Sequence, residues 1–382
     1  MKIVYTITLI LISLIISAEE VYDFTLLYDE GDVVSSNYQI DDISFDWNAE
    51  NGNLKIYETA NVAKILWQNN GKGFVGGAIA EAEIEDDRGS FTIEDVKESV
   101  LTTQEIQSID LSNDTLSVCG QLFNDSIATN YCLKFYKNNS KEVKFLLNVD
   151  ETINRTYLTY QLSDSLGIFG FGAQCSHFNH NGNRVPVLVQ EQGVGRGDID
   201  NILVDIALGN SQGNDYTSYI SVPQYIASNC TGIYLENDEI SNFDFTVSNQ
   251  SQIELYSNEM RGALVYGATP VDVLNTYTNY AGKMKQLPDW VINGAIIGMQ
   301  GGTNKLYDIW LQLKLEETPI AAFWIQDWVG QRTSLVGKQL WWNWELEKTR
   351  YPNYDDLLDS LNQSGIELML SLIHISEPTR RH

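Results

Sequence analysis

The chain has few basic residues. Lys and Arg number 24 against 51 Asp and Glu, so the 382 residues carry a formal net charge of −27. A surface of this sign repels phosphate backbones and anionic lipid headgroups, so we predict no nucleic-acid partner and no binding to a membrane surface. The same charge disfavours an anionic substrate unless cationic side chains lie close to it.

Histidine and cysteine are also scarce, with four of each. Their spacing fits no zinc site, and we expect neither a metal ion nor an organic cofactor. Cys119 and Cys132 lie on two β-like runs joined by Asn-Asp-Ser. They could therefore face each other across a hairpin and form a disulfide in an oxidising compartment.

Long apolar runs are missing after the first residues. Lys2 precedes the uncharged run Ile3 to Ile16, and small residues follow at Ser17 and Ala18. This pattern predicts a signal peptide over residues 1–18, and the alternative of a membrane anchor is weaker because the run is short for a span. We expect a soluble protein that is secreted or lies in the lumen of the secretory pathway. Seven Asn-x-Ser/Thr sequons, which are potential N-glycosylation sites, agree with this localisation.

Helical periodicity is nearly absent between Val21 and Tyr266, where short β-like runs alternate with turn residues. This pattern predicts an antiparallel β-sandwich over residues 19–266. Thr269 and Pro270 then open a helix that Gly282 closes, which predicts a linker helix within residues 267–288.

A glycine-rich segment from Gly167 to Gly197 interrupts the β pattern. Glycine permits close backbone approach, so we interpret the segment as a functional loop or hairpin; a phosphate-binding loop is a poor alternative because the Walker spacing is missing. Its polar and aromatic residues of interest are Gln174, His177, Phe178, Arg184, Glu191, Gln192 and Arg196.

After Pro288 the pattern changes to alternating strands and helices. We predict a strand over Val291–Gly298, a helix capped by Thr303, a strand over Ile320–Gln326 and a third strand from Ile366. Such an order is typical of a parallel α/β domain, which we assign to residues 289–369.

The middle strand of this domain ends in Gln326 and Asp327, and seven of the nine tryptophans lie between Trp290 and Trp344. Hydrogen-bonding groups beside flat indole faces suit a sugar, and the carboxyl end of a buried parallel strand is where α/β folds place ligands. The alternative is that these tryptophans belong to the core and that Asp327 is a cap or a salt-bridged residue.

The last residues differ from the rest of the chain. LSLIHISEPTR, Leu370 to Arg380, equals the translation of an adapter used to prepare sequencing libraries. We therefore expect residues 370–382 to be an artefact and the natural sequence to have been cut near Met369. His374 and His382 are accordingly not interpreted as ligands.

Four segments together resemble glycoside hydrolase family 31, and within it the sulfoquinovosidase-like branch of the α-glucosidases. They are GFGAQCSHFNHNGNRVPVLVQEQGVGRG, GATPVDVLNTYTNYAGKMKQLPDWVINGAIIG, FWIQDWVGQRTSLVGKQLWWNW and TRYPNYDDLLDSLNQSGIELML. The resemblance implies a β-sandwich followed by the truncated start of a (β/α)8 TIM barrel. It also implies retaining hydrolysis of an α-glycoside by two aspartates, which in the family follow the fourth and later barrel strands. We expect both aspartates to be missing from this chain, and we assign no catalytic residue.

The resemblance carries over substrate-binding residues. Gln326 matches a glutamine that binds the sugar headgroup, Trp342 matches a tryptophan that helps bind a sulfonate, and Asp327 is a candidate hydroxyl acceptor. Gln339 stands where the branch has an arginine, which favours a neutral α-glucoside over a sulfoquinovoside because glutamine lacks the charge and the fork. The remaining candidates lie on a loop that reaches the active site in the family: Gln174, Glu191 and Gln192.

The sequence thus predicts part of a secreted α-glycoside hydrolase that is inactive as it stands. The alternative is a secreted, non-catalytic carbohydrate-binding protein. A natural stop near Met369 would favour the binding protein, whereas further barrel strands carrying two aspartates would favour the enzyme. The oligomeric state is not indicated by any pattern.

Overall fold

The computed structural model describes residues 21–87, 89–139, 141–173, 177–191, 215–334, 337–340 and 343–371. The chain divides into two compact units, residues 1–282 and 283–382. The predicted signal peptide and most of the predicted artefact lie outside the described residues. No helix among the described residues is long and apolar enough to cross a membrane.

Strands dominate the first unit, as the sequence predicts. They are β1 (Thr25–Tyr28), β2 (Ser36–Ile40), β3 (Ile43–Asn48), β4 (Asn53–Glu58), β5 (Asn61–Gln68), β6 (Val75–Asp87), β7 (Ser90–Leu101), β8 (Thr103–Ser112), β9 (Thr115–Phe123), β10 (Ala128–Asn139), β11 (Glu142–Val149), β12 (Arg155–Gln161), β13 (Ile168–Gly172), β14 (Arg184–Val187), β15 (Ser221–Ala227), β16 (Thr231–Leu235), β17 (Ser241–Asp244), β18 (Gln250–Leu255) and β19 (Glu259–Tyr266).

These strands form three sheets. The nine-stranded sheet has the order β1-β8-β9-β10-β11-β19-β16-β15-β13, the six-stranded sheet β14-β17-β18-β12-β6-β7, and the four-stranded sheet β2-β3-β4-β5. One hydrophobic core draws side chains from all three, for example Leu133, Ile253 and Phe45. The alternation that builds it is clear in β9, where every second residue is buried, because successive side chains of a strand point to opposite faces.

Cys119 and Cys132 lie directly opposite each other in the β9–β10 hairpin and form a disulfide. The pairing predicted from the sequence is therefore confirmed. Asn124 closes the hairpin, since its side-chain oxygen accepts the backbone N–H groups of Ser126 and Ile127, each at 2.9 Å.

The glycine-rich segment crosses from one sheet to another. It begins as β13 at the edge of the nine-stranded sheet and continues as β14 at the edge of the six-stranded one. Phe171, fully buried, has a φ of +65° between Gly170 and Gly172, which also have positive φ. A side chain at Gly172 would meet the carbonyl oxygen of Ile220 at 2.2 Å, so glycine is required for this close approach.

A buried ionic cluster lies on the six-stranded sheet. The Glu254 carboxylate is 2.6 Å from Lys97 and 2.8 Å from Arg184, and it accepts the Tyr157 hydroxyl at 2.9 Å. Burial acts to raise the pKa of the Glu254 carboxyl, but these cations and Asn242 outweigh it, so the pKa is lowered. Because every partner is itself part of a strand, the cluster ties the sheet together.

The predicted linker helix is α1 (Pro270–Ala281), and it packs on the first unit. Thr269 and Asp272 form a capping box at its start, and Val273 is buried against Ile226 and Val265. The helix is amphipathic, and its buried face covers apolar side chains of the strands.

The second unit alternates strands and helices. It contains a 3-10 helix (Asp289–Ile292), β20 (Ala295–Met299), α2 (Gly302–Leu315), β21 (Ile320–Ile325), β22 (Gln331–Ser334), β23 (Gly337–Leu340), α3 (Tyr354–Gln363) and β24 (Glu367–Leu370). Strands β20, β21 and β24 form a parallel sheet with β21 in the middle, and β22 and β23 form a separate antiparallel hairpin. The parallel arrangement predicted from the sequence is confirmed.

Two boundaries in this unit differ from the prediction. Val291 and Ile292 belong to the 3-10 helix, so β20 begins only at Ala295. The N-cap of α2 is Gly301 rather than Thr303, because Gly301 has a φ of +127° that allows the chain to turn sharply into the helix. Thr303 instead donates its hydroxyl to the carbonyl oxygen of Pro352 at 3.3 Å.

Candidate functional site

The site lies where β21 ends. The strand is the middle one of the parallel sheet, with Ala322, Phe323 and Ile325 buried. Gln326 and Asp327 follow directly, and the backbone N–H of Gln326 still bonds to the carbonyl oxygen of Met299 on β20 at 3.1 Å. The strand therefore delivers an amide and a carboxylate to the carboxyl edge of the sheet, where parallel folds bind ligands.

Asp327 is fully buried, and its hydrogen-bond partners among the described residues belong to the second unit. Its Oδ2 accepts the backbone N–H of Gly301 at 2.8 Å and Nη1 of Arg350 at 2.5 Å, while its Oδ1 accepts the hydroxyl of Tyr351. Burial raises the pKa of that hydroxyl, and the contact with Asp327 raises it further. The carboxylate thus holds three segments together around the site, which is the role of a salt-bridged residue. Direct contact of Asp327 with a sugar stays a prediction.

Gln326 is half-buried and belongs to a row of polar side chains. Its Oε1 accepts Nε2 of Gln300 at 2.9 Å, and Oε1 of Gln300 accepts Nε2 of Gln331 at 3.0 Å. Oε1 of Gln331 in turn accepts Nη2 of Arg350 at 3.1 Å. The row joins the ends of β20 and β21, the start of β22 and the Arg350 turn.

Three of these residues were not among the sequence candidates: Gln300, Gln331 and Arg350. Gln300 could have been found, because it follows β20 as Gln326 follows β21, and neighbouring parallel strands end at the same edge. Arg350 carries no local signal, since its partner Asp327 lies 23 residues earlier.

The tryptophans near the site have different environments. Trp328 is buried and donates its indole N–H to the carbonyl oxygen of Ser371 at 2.9 Å, so it is a core residue. Trp344 is 64% exposed. The backbone of Gln339 pairs with Arg332 across the β22–β23 hairpin, but its side chain, like all of Trp342, lies outside the described part of the structure.

The candidates from the glycine-rich segment belong to the first unit. Glu191 accepts the hydroxyl of Tyr219, and its backbone N–H bonds to the carbonyl oxygen of Gly89 at 2.8 Å. Arg184 pairs with Glu254 at 2.8 Å and is part of the ionic cluster. Gln174, Gln192 and Arg196 lie outside the described residues.

The two histidines of this segment have different surroundings. His177 lies 3.3 Å from Asp215 through Nε2. His180 is buried with its ring 5.3 Å from that of Phe171, and burial lowers the pKa of its imidazole. Within the described residues, His, Cys and carboxylate side chains form no group of three that could hold a metal ion.

Curated proteins with similar sequences are glycosidases. A sulfoquinovosidase of Agrobacterium fabrum is 28% identical over 284 residues, which cover 74% of this chain and 41% of the relative. A sulfoquinovosidase of Escherichia coli is 25% identical over 301 residues, covering 78% of this chain and 43% of the relative. No family model matches the sequence.

Among solved structures, a GH31 family sulfoquinovosidase from E. rectale, in complex with an aza-sugar inhibitor, has a TM-score of 0.71. It is 22% identical and the match covers 88% of this chain and 47% of that one. At 22% identity the structural similarity establishes a shared fold and not a shared activity.

The chain is thus similar in sequence to sulfoquinovosidases and in fold to a GH31 family sulfoquinovosidase. The sulfoquinovosidase-like resemblance predicted from the motifs is confirmed. The chain spans less than half the length of the curated relatives that it matches.

Proposed function

We propose that the chain is part of a secreted, retaining α-glycoside hydrolase that acts on α-glucosides or sulfoquinovosides. Its first unit is the β-sandwich and its second unit the start of the (β/α)8 barrel. The observation that carries the proposal is the pair Gln326 and Asp327 at the carboxyl end of the middle parallel strand, in a chain related to sulfoquinovosidases. Barrel enzymes place their substrate at that edge.

Two surface features of the second unit support the proposed barrel: unpaired sheet edges in the described part of the chain and exposed apolar side chains. Among the described residues, β20 and β24 are the edges of the three-stranded sheet. Apolar side chains such as Leu311 and Leu315 of α2 are more than half exposed. Further strands and helices of a barrel would pair these edges and cover these side chains.

The reaction needs two carboxyl groups about 5–5.5 Å apart, one as nucleophile and one as acid and then base. Asp327 is unsuited to either role, because its oxygens are engaged by Arg350, Tyr351 and Gly301. The proposal therefore assigns the catalytic pair to later barrel strands. The residues of this chain bind and orient the sugar.

Hydrolysis assays test the proposal. The 382-residue chain and the product of the gene read past the codon for Met369 are each given 4-nitrophenyl α-glucoside and 4-nitrophenyl α-sulfoquinovoside. We expect turnover by the longer protein only, with the α-anomer appearing first in the NMR spectrum. Turnover by the 382-residue chain, or a longer protein without paired acids at the barrel mouth, would contradict the assignment. Sugar binding without turnover in the longer protein would favour a carbohydrate-binding protein.

A further inference from the structure

We propose that Gln300, Gln331 and Arg350 are positioning residues that make Gln326 a hydrogen-bond donor toward its ligand. The identity of that ligand as a sugar depends on the proposed function. The orientation of the Gln326 amide does not, because it follows from contacts within the second unit.

The row of polar side chains at the end of the parallel sheet forms one continuous hydrogen-bond relay, whose members are Arg350, Gln331, Gln300 and Gln326. Arg350 donates to Gln331 at 3.1 Å, Gln331 donates to Gln300 at 3.0 Å, and Gln300 donates to Gln326 at 2.9 Å. The relay starts at a fixed point, since the other guanidinium nitrogen of Arg350 is held 2.5 Å from the buried carboxylate of Asp327.

The direction of the relay is set by the chemistry of its first member. A guanidinium group has only donors, so the atom of Gln331 that faces Arg350 must be its oxygen. The NH2 group of Gln331 is then the group that reaches Gln300, which must offer its own oxygen. By the same step the NH2 group of Gln300 faces the oxygen of Gln326. Each amide is thereby fixed in one of its two orientations.

The end of the relay determines what the site can recognise. One lone pair of Oε1 accepts from Gln300, and the Nε2 group of Gln326 has no hydrogen-bond partner among the described residues. An NH2 group binds an acceptor, such as a hydroxyl oxygen of a sugar or a sulfonate oxygen. A ligand group that can only donate must share Oε1 with Gln300, through the second lone pair of that oxygen. The relay therefore directs the NH2 group of Gln326 to the ligand, which favours acceptor groups at this position.

One isosteric substitution should reverse the relay. In Gln331→Glu, both oxygens of the new carboxylate accept: one faces Arg350 and the other faces Gln300. Gln300 must then turn its NH2 group toward position 331 and its oxygen toward Gln326. The NH2 group of Gln326 follows, which leaves the oxygen of Gln326 for the ligand. Gln363→Glu, at an exposed position of α3, adds the same charge elsewhere and is the control.

Neutron diffraction from crystals of the full chain tests the orientation directly, because it distinguishes nitrogen from oxygen and shows the deuterons. We expect Nε2 of Gln326 to point away from Gln300 in the wild type and in Gln363→Glu, and toward Gln300 in Gln331→Glu. A wild-type Gln326 that turns its nitrogen toward Gln300 overturns the proposal. So does a Gln331→Glu crystal in which Gln300 and Gln326 keep their orientations.

Sugar binding tests the consequence. The probes are methyl α-glucosides in which one hydroxyl at a time is replaced by hydrogen or by fluorine, which accepts but cannot donate. At the hydroxyl that meets Gln326, hydrogen should weaken binding by about tenfold and fluorine should restore part of the loss. In Gln331→Glu, fluorine should weaken binding at least as much as hydrogen. A failure of every sugar to bind counts against the proposed function, whereas unchanged fluorine rescue in Gln331→Glu counts against the relay.

Discussion

Nη1 of Arg350 lies 2.5 Å from Oδ2 of Asp327, and this contact joins two segments 23 residues apart. The carboxylate is fully buried and the arginine side chain is 29% exposed. The pair therefore holds the turn before α3 against the end of β21, and the candidate site is built on that junction.

Asp327→Asn should destabilise the second unit. The substitution removes the charge that Arg350 faces, and a hydrogen bond to a charged group contributes about 1.5–3 kcal/mol. We expect a loss of this size in the free energy of opening of β21, measured by hydrogen exchange of its amides.

Asp359→Asn is the matched control, because Asp359 is exposed on α3. It should leave the exchange of β21 unchanged. Equal effects of the two substitutions would show that the pair with Arg350 does not stabilise the strand.

Glu254 should make the stability of the first unit depend on pH. Its pKa is lowered in the folded state, so its contribution is present above the unfolded pKa of about 4.3 and is lost as pH falls through the folded pKa. In Glu254→Gln, unfolding should become less sensitive to pH below about 4.3. At pH 7 the variant should lose about 3 kcal/mol, because Lys97 and Arg184 lose a shared buried carboxylate and keep only their other partners, Asp95 and Asp244.

The measurement is denaturant unfolding of the variant and the wild type between pH 2.5 and 7. Glu98→Gln, an exposed position on β7, removes the same charge and should behave as the wild type. An acid-induced loss of stability that is as steep in Glu254→Gln as in the wild type would exclude this role.

The disulfide between Cys119 and Cys132 should stabilise the first unit. It closes a loop of 13 residues in the unfolded chain, and closing a loop of that size is worth about 3 kcal/mol. Replacing both cysteines by serine should lower the free energy of unfolding by about that amount. The control is Cys230→Ser, because Cys230 forms no disulfide with any cysteine that the structure describes. Identical unfolding curves for the double variant and the wild type would contradict the prediction.

Gln339→Arg should raise activity on a sulfonated sugar in the longer gene product. Arginine supplies the charge and the bidentate fork that a sulfonate needs, and we expect at least about a tenfold rise in kcat/KM for the sulfoquinovoside relative to the glucoside. Gln363→Arg tests whether added charge alone has this effect. A longer protein that prefers the sulfonated substrate before any substitution would overturn the prediction that glutamine here favours neutral α-glucosides.

The sequence predicted the elements with strong local signals. The parallel strands of the second unit follow from apolar runs that alternate with helical periodicity, and the hairpin of Cys119 and Cys132 from two β-like runs and a short turn. Both are confirmed by the structure.

Features that depend on distant partners could not be predicted. Trp328 looks like the other tryptophans of its stretch, yet its burial depends on packing with Val329 and Leu357. Gly301 caps α2 because the turn there needs a positive φ, whereas Thr303 only has the composition of a cap.

The candidate site was predicted only in part, because some of its residues are held by partners that are distant in the sequence. The location at Gln326 and Asp327 came from the end of an apolar run, but the residues that hold them come from β20, β22 and the Arg350 turn. The contact between Arg350 and Asp327 arises only when the sheet is assembled, and of the missed residues only Gln300, which directly follows β20, has a signal in the sequence.

The capping box that starts α1 has a practical consequence for dividing the chain. The helix is anchored to the first unit and closes at Gly282, and the residues that follow, up to Pro288, are all exposed. They include Lys283 and Lys285, at which trypsin can cut. Brief digestion should therefore cut the chain between the first and the second unit, and gel filtration of the products would show whether the two pieces stay together.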